Sequence, residues 1–216
     1  MRLLFMLMGG MMLQAACSQA TDSKASQTQL FTASNDSLPG IDTATFAGGC
    51  FWCTEAQFKQ LAGVDTVISG YTGGKVANPT YKQVTTGRTG HAEAINVVYR
   101  PGEISYDELL EAFFTAHDPT QLNRQGNDIG TQYRSAIFYH DEAEKEKAEY
   151  YIRRLTEEKV YDQPLVTKLE PYTDFYIAED YHQNYYNLNP QQAYCQYVIV
   201  PKLEKFKKVF KERLKK

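Results

Sequence analysis

This sequence predicts an α+β fold: a split β-α-β core of ferredoxin-like type, with a mixed, largely antiparallel sheet and added C-terminal segments. Three observations carry that expectation. Short runs alternate apolar and polar residues, the stretches between them carry apolar residues at helical spacing, and the order is strand, helix, strand, strand, helix, strand. A chain of 216 residues, 43% hydrophobic and 13% aromatic, holds one domain with a real core plus extensions.

The elements follow in order. Arg2 precedes an apolar run from Leu3 to Leu13, then "QAAC" ending at Cys17, which predicts a secretory signal over residues 1–16, too short to span a membrane. The small residues before Cys17 resemble a lipoprotein cleavage site, in which that cysteine carries the lipid. Gln14 stands where such a site has an aliphatic residue, and plain cleavage nearby is the alternative. The expected location is therefore the bacterial envelope, as a periplasmic protein or a membrane-tethered lipoprotein. Residues 17–40 read as a flexible linker, because Ser18 to Asp36 is rich in Ser, Thr, Gln and Asn. The folded domain spans 41–216.

Within it, "TATFAGG" is the first strand and Cys50 to Leu61 a helix with Phe51, Phe58 and Leu61 among its apolar positions. "VDTVISGYTGG" is a strand closed by a glycine turn, and "HAEAINVVYR" an alternating strand. "SYDELLEAFFTAH" has a serine ahead of acidic first-turn residues and is a helix. "YRSAIFYH" is a strand, and residues 141–158 form a charged helix. "VTKLEPYTDFYIAE" is a strand broken at Pro171, and "DYHQNYYNLNP" a short helix or turn. The last fifteen residues place Leu203, Phe206, Val209, Phe210 and Leu214 on one helical face. That segment carries +6 against −9 for the remainder, and reads as a docking helix with a solvated basic face, with membrane-surface binding as the alternative. The formal net charge of −3 gives no nucleic-acid footprint. A monomer is expected.

The chemistry sits in "TFAGGCFWCTEAQF". Export favours disulfides, yet setting Cys17 aside leaves Cys50, Cys53 and Cys195, an odd number that suits thiol exchange better than a static framework. All five methionines lie within the first twelve residues, an arrangement that suits exposure to oxidants and that chance also explains. A Cys-x-x-Cys pair admits three readings: metal ligation, a dithiol, or one nucleophile with a pocket around it. Zinc needs a second pair, and His91, His117, His140 and His182 are isolated; His91 beside Glu93 supplies none, so no metal site is expected. A thioredoxin-like dithiol would have Cys50 stabilised by the helix N-terminus and Cys53 one turn on. Phe51 and Trp52 between the cysteines depart from that pattern and favour an apolar pocket around Cys50.

"GGCFWCTEAQF", "SGYTGG", "NPTYKQV", "TGHAEAINVVY", "HDPTQLNRQGNDIGTQYRSAIF", "AEDYHQNYY" and "NPQQAYC" together resemble the peptide methionine sulfoxide reductases of the A type, from about Thr45 to Cys195. The resemblance implies an α/β two-layer sandwich and thiol-dependent reduction of methionine sulfoxide, S epimer, in oxidised proteins and in free form, as a repair activity. It places Cys50, Tyr81, Glu93, Asp128 and Tyr133 at active-site positions.

Reduction of a sulfoxide needs a soft nucleophile, a greasy wall for the methyl group and proton donors at the oxygen. Cys50, helped by the helix terminus, is the nucleophile. Phe51 and Trp52 are the expected wall. Glu93 is the acid if burial raises its pKa, and Tyr81 and Tyr133 donate hydrogen bonds to the same oxygen. Asp128 orients substrate or water, or caps a loop. Oxygen transfer leaves a sulfenic acid on Cys50. Cys195 is ranked first to resolve it, from a loop-like segment after Pro190. Cys53, where many relatives have glycine, is ranked second. No bound cofactor is expected, and an external thioredoxin-like dithiol protein would close the cycle. The rival is an exported thioredoxin-like dithiol-disulfide oxidoreductase.

Overall fold

The computed structural model describes residues 30–32 and 40–216. The expected export signal over residues 1–16, Cys17 and most of the expected 17–40 linker lie outside the described residues. In chain order the elements are β1 (Leu30–Thr32), β2 (Asp42–Gly48), α1 (Phe51–Phe58), β3 (Val64–Thr72), α2 (Tyr81–Val84), β4 (Ala92–Tyr99) and α3 (Tyr106–Ala116). After the short β5 (Arg124–Gln125) and β6 (Asp128–Ile129) come β7 (Ser135–Tyr139), α4 (Glu142–Glu157), β8 (Lys168–Pro171), β9 (Asp174–Ile177), α5 (Tyr185–Leu188) and α6 (Val200–Val209).

Seven strands form one sheet in the order β1-β9-β3-β4-β2-β7-β8. Every pairing is antiparallel except β7 with β8. β2 and β3 both flank β4, while β4 and β7 both flank β2, with α1 and α3 as the crossovers. That is the split β-α-β core the element order predicts. β2 sits between two neighbours and is buried from Ala44 to Gly48, which explains why that stretch carries no charged side chain. The larger core lies on the helical side of the sheet. There Phe46 packs its ring 5.6 Å from Phe58, 5.1 Å from Phe113 and 6.1 Å from Tyr106. The other face carries a smaller cluster around Ala94, Ala136, Phe138 and Phe175, giving a two-layer molecule.

Local chemistry accounts for the boundaries. The Ser105 hydroxyl accepts from the Glu108 N–H at 3.2 Å while the Glu108 carboxylate accepts from the Ser105 N–H at 2.8 Å, a reciprocal cap that starts α3. Gly49 has φ +86°, and a Cβ there would sit 2.6 Å from the Gln125 side chain, so the turn from β2 into α1 requires glycine.

The structure departs from the expected elements in several places. Leu30–Thr32, inside the expected linker, pairs with β9. The strand broken at Pro171 becomes two strands on different neighbours: β8 joins β7, and β9 joins β3. α1 ends at Phe58, and the chain turns at Gly63 (φ +83°) into β3. The C-terminal helix ends at Val209 rather than running to the chain end. Leu203 and Phe206 are buried, with Phe206 6.3 Å from Phe58, whereas Val209 is 58% exposed. The end of the chain is bonded to the turn after α1, through Ala62 N–H to Arg213 O at 2.7 Å and Lys215 N–H to Gln60 O at 2.8 Å. The apolar face of α6 is thus spent on the core. Among the described residues, no helix is long and apolar enough to cross a membrane.

Candidate active site

Cys50 is the N-cap of α1, in extended conformation, with the first helical turn directly after it. It is 6% exposed. The helix terminus does not by itself deliver a thiolate: burial holds the Cys50 thiol well above its ordinary range, helped by the Cys53 thiol and the neighbouring Glu93 charge. The three cysteines Cys50, Cys53 and Cys195 are all free thiols.

Glu93 comes from β4, where it pairs across to Tyr71 of β3. Its carboxyl is 2% exposed and its Oε2 accepts from the Phe51 N–H at 3.1 Å, so it sits on the first free amide of α1, next to Cys50. Burial pushes its pKa up to about 8, with the Phe51 amide acting in the opposite direction, so the carboxyl is mostly protonated at neutral pH. Tyr81, the first residue of α2, is pushed up to about 12 by burial, then by the charges of Glu93 and Cys50. Tyr133 is raised by the same causes in the same order, with Tyr81 and Asp128 following. Four elements remote in sequence therefore converge on one group of side chains.

Asp128 begins β6 of a two-residue ribbon held beneath by Gln125. That side chain accepts from Asp118 N–H at 3.2 Å and donates to Asp118 O at 3.0 Å. Asp128 Oδ2 accepts from the Tyr194 hydroxyl at 2.6 Å. Asp128, expected to orient substrate or water or to cap a loop, is thus carried on a short hairpin.

The aromatic pair divides its work. Phe51 is 1% exposed, with its ring 5.8 Å from Tyr71 and 5.0 Å from His182. Trp52 is the half-buried member. Its indole N–H donates to His182 Nδ1 at 3.1 Å, its ring stacks on Tyr185 at 3.6 Å and 6°, and Tyr194 stands edge-on at 5.6 Å. Phe51 therefore backs the wall that Trp52 faces.

Sequence reading assigned no role to Glu179, His182, Tyr185 or Tyr194, although each lies in a quoted motif. Glu179 accepts from the Tyr71 hydroxyl at 2.8 Å and from the Tyr81 N–H at 2.8 Å, tying α2 to the sheet. His182, at ring-centroid distances of 4.4 Å from Tyr81 and 5.0 Å from Phe51, is buried and neutral, its pKa lowered to about 4 by that burial. For Glu179, His182 and Tyr185 the available signal is polar residues beside aromatics in "AEDYHQNYY", and for Tyr194 its place next to Cys195 in "NPQQAYC". His91 uses both ring nitrogens on the glycine loop: Gly74 N–H donates to Nδ1 at 3.1 Å, and Nε2 donates to Val76 O at 2.8 Å.

Cys195 is not in a loop. It opens a π-helical turn, Cys195–Ile199, that runs into α6, and it is fully buried. Burial raises its thiol, and then the Cys53 charge. Cys53 stands one turn after Cys50, its N–H donating to Cys50 O at 3.0 Å and its sulfur 3.9 Å from the Tyr194 hydroxyl.

Comparison with known proteins agrees with this arrangement. The family model described as peptide methionine sulfoxide reductase matches residues 42–214. The chain is 52% identical over 177 residues to the peptide methionine sulfoxide reductase MsrA 1 of Rhodopirellula baltica, covering 82% of this chain and 91% of that protein. Among solved structures it is similar to methionine sulfoxide reductase A of Corynebacterium diphtheriae: 39% identity, TM-score 0.63, 71% of this chain and 77% of the other. It is also similar to reduced Mxr1 of Saccharomyces cerevisiae: 36% identity, TM-score 0.66, 74% and 91%. Sequence motifs, sheet order and the family match across nearly the whole described domain agree: this chain belongs to the peptide methionine sulfoxide reductase family, of the A type.

Proposed function

We propose that this chain reduces methionine sulfoxide, of the S epimer and in both protein-bound and free form, back to methionine by a two-step thiol cycle. The observation that carries the reading is the buried, protonated Glu93 held on the Phe51 amide beside Cys50. The sulfoxide oxygen would take its proton from Glu93 while hydrogen-bonded by Tyr81 and Tyr133, and its methyl group would rest on Trp52. Protonation makes the substrate sulfur electrophilic as the Cys50 thiol attacks it, and the proton that Cys50 sheds replaces the one Glu93 gave. Oxygen passes to Cys50 and methionine leaves. In balance, one thiol and one sulfoxide become one sulfenic acid and one thioether.

In this reading Cys53 resolves the sulfenic acid first, with Cys195 behind it, where the sequence ranks Cys195 first and Cys53 second. What supports this order is the place of Cys53 one turn after Cys50, its N–H donating to Cys50 O at 3.0 Å, and the full burial of Cys195. The disulfide would pass to an external thioredoxin-like dithiol protein. The apolar start of the chain supports export to the bacterial envelope, which cell fractionation of the full chain tests.

The deciding experiment offers resolved S and R methionine sulfoxide, as free amino acid and in a peptide, with dithiothreitol, and measures methionine. Methionine from the S form alone, abolished by Cys50→Ser, is the expected result. Insulin reduction without methionine formation would instead establish the dithiol oxidoreductase. Cys195→Ser should stop thioredoxin-driven cycling after about one turnover, with a Cys50–Cys53 bond accumulated. Sustained cycling in that variant would remove Cys195 from the relay.

A further inference from the structure

Cys53 is 2% exposed, one turn into α1, and makes more polar contacts than a small packing residue needs. Its N–H donates to Cys50 O at 3.0 Å. Lys202 Nζ, from the first turn of α6, lies 3.9 Å from its sulfur, and the Tyr194 hydroxyl reaches the same sulfur at 3.9 Å. Lys202 is half-buried, and among the described residues its ammonium forms no salt bridge. Its position is enforced: Pro201 lies in the first turn of the helix, and Leu203 and Phe206 anchor the same helix in the core. A partly desolvated ammonium beside a buried sulfur gains most when that sulfur is an anion.

We propose that Lys202 is a positioning residue of the resolving step, its ammonium holding Cys53 as the thiolate that attacks the sulfenic acid on Cys50. This deepens the two-step reading above and rests on it. In the step, Cys53 sulfur attacks Cys50 sulfur, the S–S bond forms and the S–O bond breaks. Hydroxide leaves and takes up a proton as water. Cys53 is oxidised, Cys50 is reduced, and the net change is one thiol and one sulfenic acid to one disulfide and one water.

The groups facing Cys53 are Cys50 at the start of α1, Glu93 of β4, Asp128 of the ribbon, Tyr194 and Cys195 around the π-helical turn, and Lys202 of α6. The Cys50 hydrogen bond lowers the Cys53 thiol from its ordinary range against burial, and Lys202 and Tyr194 act in the same downward direction, opposed by the Asp128 charge. Lys202 is the one cation in that set.

Single-turnover mixing of the full chain with one equivalent of a methionine sulfoxide peptide tests the assignment between pH 6 and 9. Methionine formation reports oxygen transfer, a dimedone-type trap reports the Cys50 sulfenic acid, and peptide mapping reports the disulfide. Lys202→Met should form methionine at close to the normal rate while the sulfenic acid persists about tenfold longer, its decay profile displaced upward by roughly one pH unit. Lys202→Arg, which restores the charge, should return both quantities to near the unsubstituted values, and urea unfolding of each variant separates a folding defect from a slow step. An unchanged sulfenic acid lifetime and pH profile in folded Lys202→Met would overturn the proposal, as would Cys50–Cys195 being the first disulfide in the unsubstituted chain. Failure of the unsubstituted chain to form methionine would instead overturn the reductase reading itself.

Discussion

At the scale of single residues, Glu93 carries the most consequence, because three features of one side chain bear on one proton. It is buried on a sheet strand, it accepts a helix-terminal amide, and it lies beside a thiol. Burial outweighs the amide, so the carboxyl keeps its proton up to about pH 8. On the mechanism proposed above activity requires the protonated acid, so kcat/KM should be level near neutrality and fall as pH rises through about 8. Glu93→Gln cannot donate the proton and should lose about 10²–10⁴-fold in kcat/KM, with that alkaline limb gone from the remaining rate. A profile measured on a methionine sulfoxide peptide that stays flat to pH 9.5 would place the acid elsewhere. Trp52 illustrates a second residue-scale lesson. Its orientation depends on His182, Tyr185 and Tyr194, all more than 120 positions away in the chain.

At the scale of elements, the C-terminal segment is structural support for the site. The π-helical turn buries Cys195, Tyr194 reaches Asp128 from the residue before it, and α6 follows without a break. Phe206 fixes this assembly by packing on Phe58 of α1. Phe206→Ala should cost about 3–5 kcal/mol in urea unfolding, the range for truncating a buried aromatic ring. The same variant should slow formation of the first disulfide more than it slows methionine formation, because α6 carries Lys202 to the Cys53 sulfur. Equal loss in both steps would show that α6 supports the fold without favouring either.

At the scale of the whole molecule, buried titratable groups set how stability varies with pH. Glu93 and Glu144 are both raised to about 8 by burial. A carboxyl raised in the fold binds its proton more tightly there than in the unfolded chain. Its stabilising contribution is full below the unfolded pKa and is lost as pH climbs through about 8. His117 and His182, lowered to about 4 by burial, work the other way and weaken the fold as pH falls from about 6.5. Between pH 6.5 and about 8 the carboxyls dominate, so Tm should decline across that window and level off above it. Glu144→Gln keeps an acceptor for the His140 N–H, which donates to Glu144 Oε2 at 2.7 Å, and should flatten part of that decline. A Tm trace for Glu144→Gln that parallels the unsubstituted chain would assign the alkaline loss to other groups.

Much of this was legible beforehand for a physical reason. Period-two and helical patterns record which face of each element is buried, so β2, β3, β4, α3 and β7 read directly, as did the break at Pro171. The motifs likewise named Cys50, Tyr81, Glu93, Asp128 and Tyr133 before any geometry was known. Folding alone decided what those groups are worth. Glu93 becomes an acid only because β4 delivers it, shielded from water, to an amide at the start of α1. Cys50 is held as a thiol because the same burial opposes its charge. The ribbon under Asp128, the π-helical turn around Cys195 and the lysine beside Cys53 depend on contacts between segments up to about 150 residues apart, with no local periodicity to announce them. Local chemistry is written along the chain, whereas solvent exclusion and the charge facing each sulfur arise only when distant segments pack together.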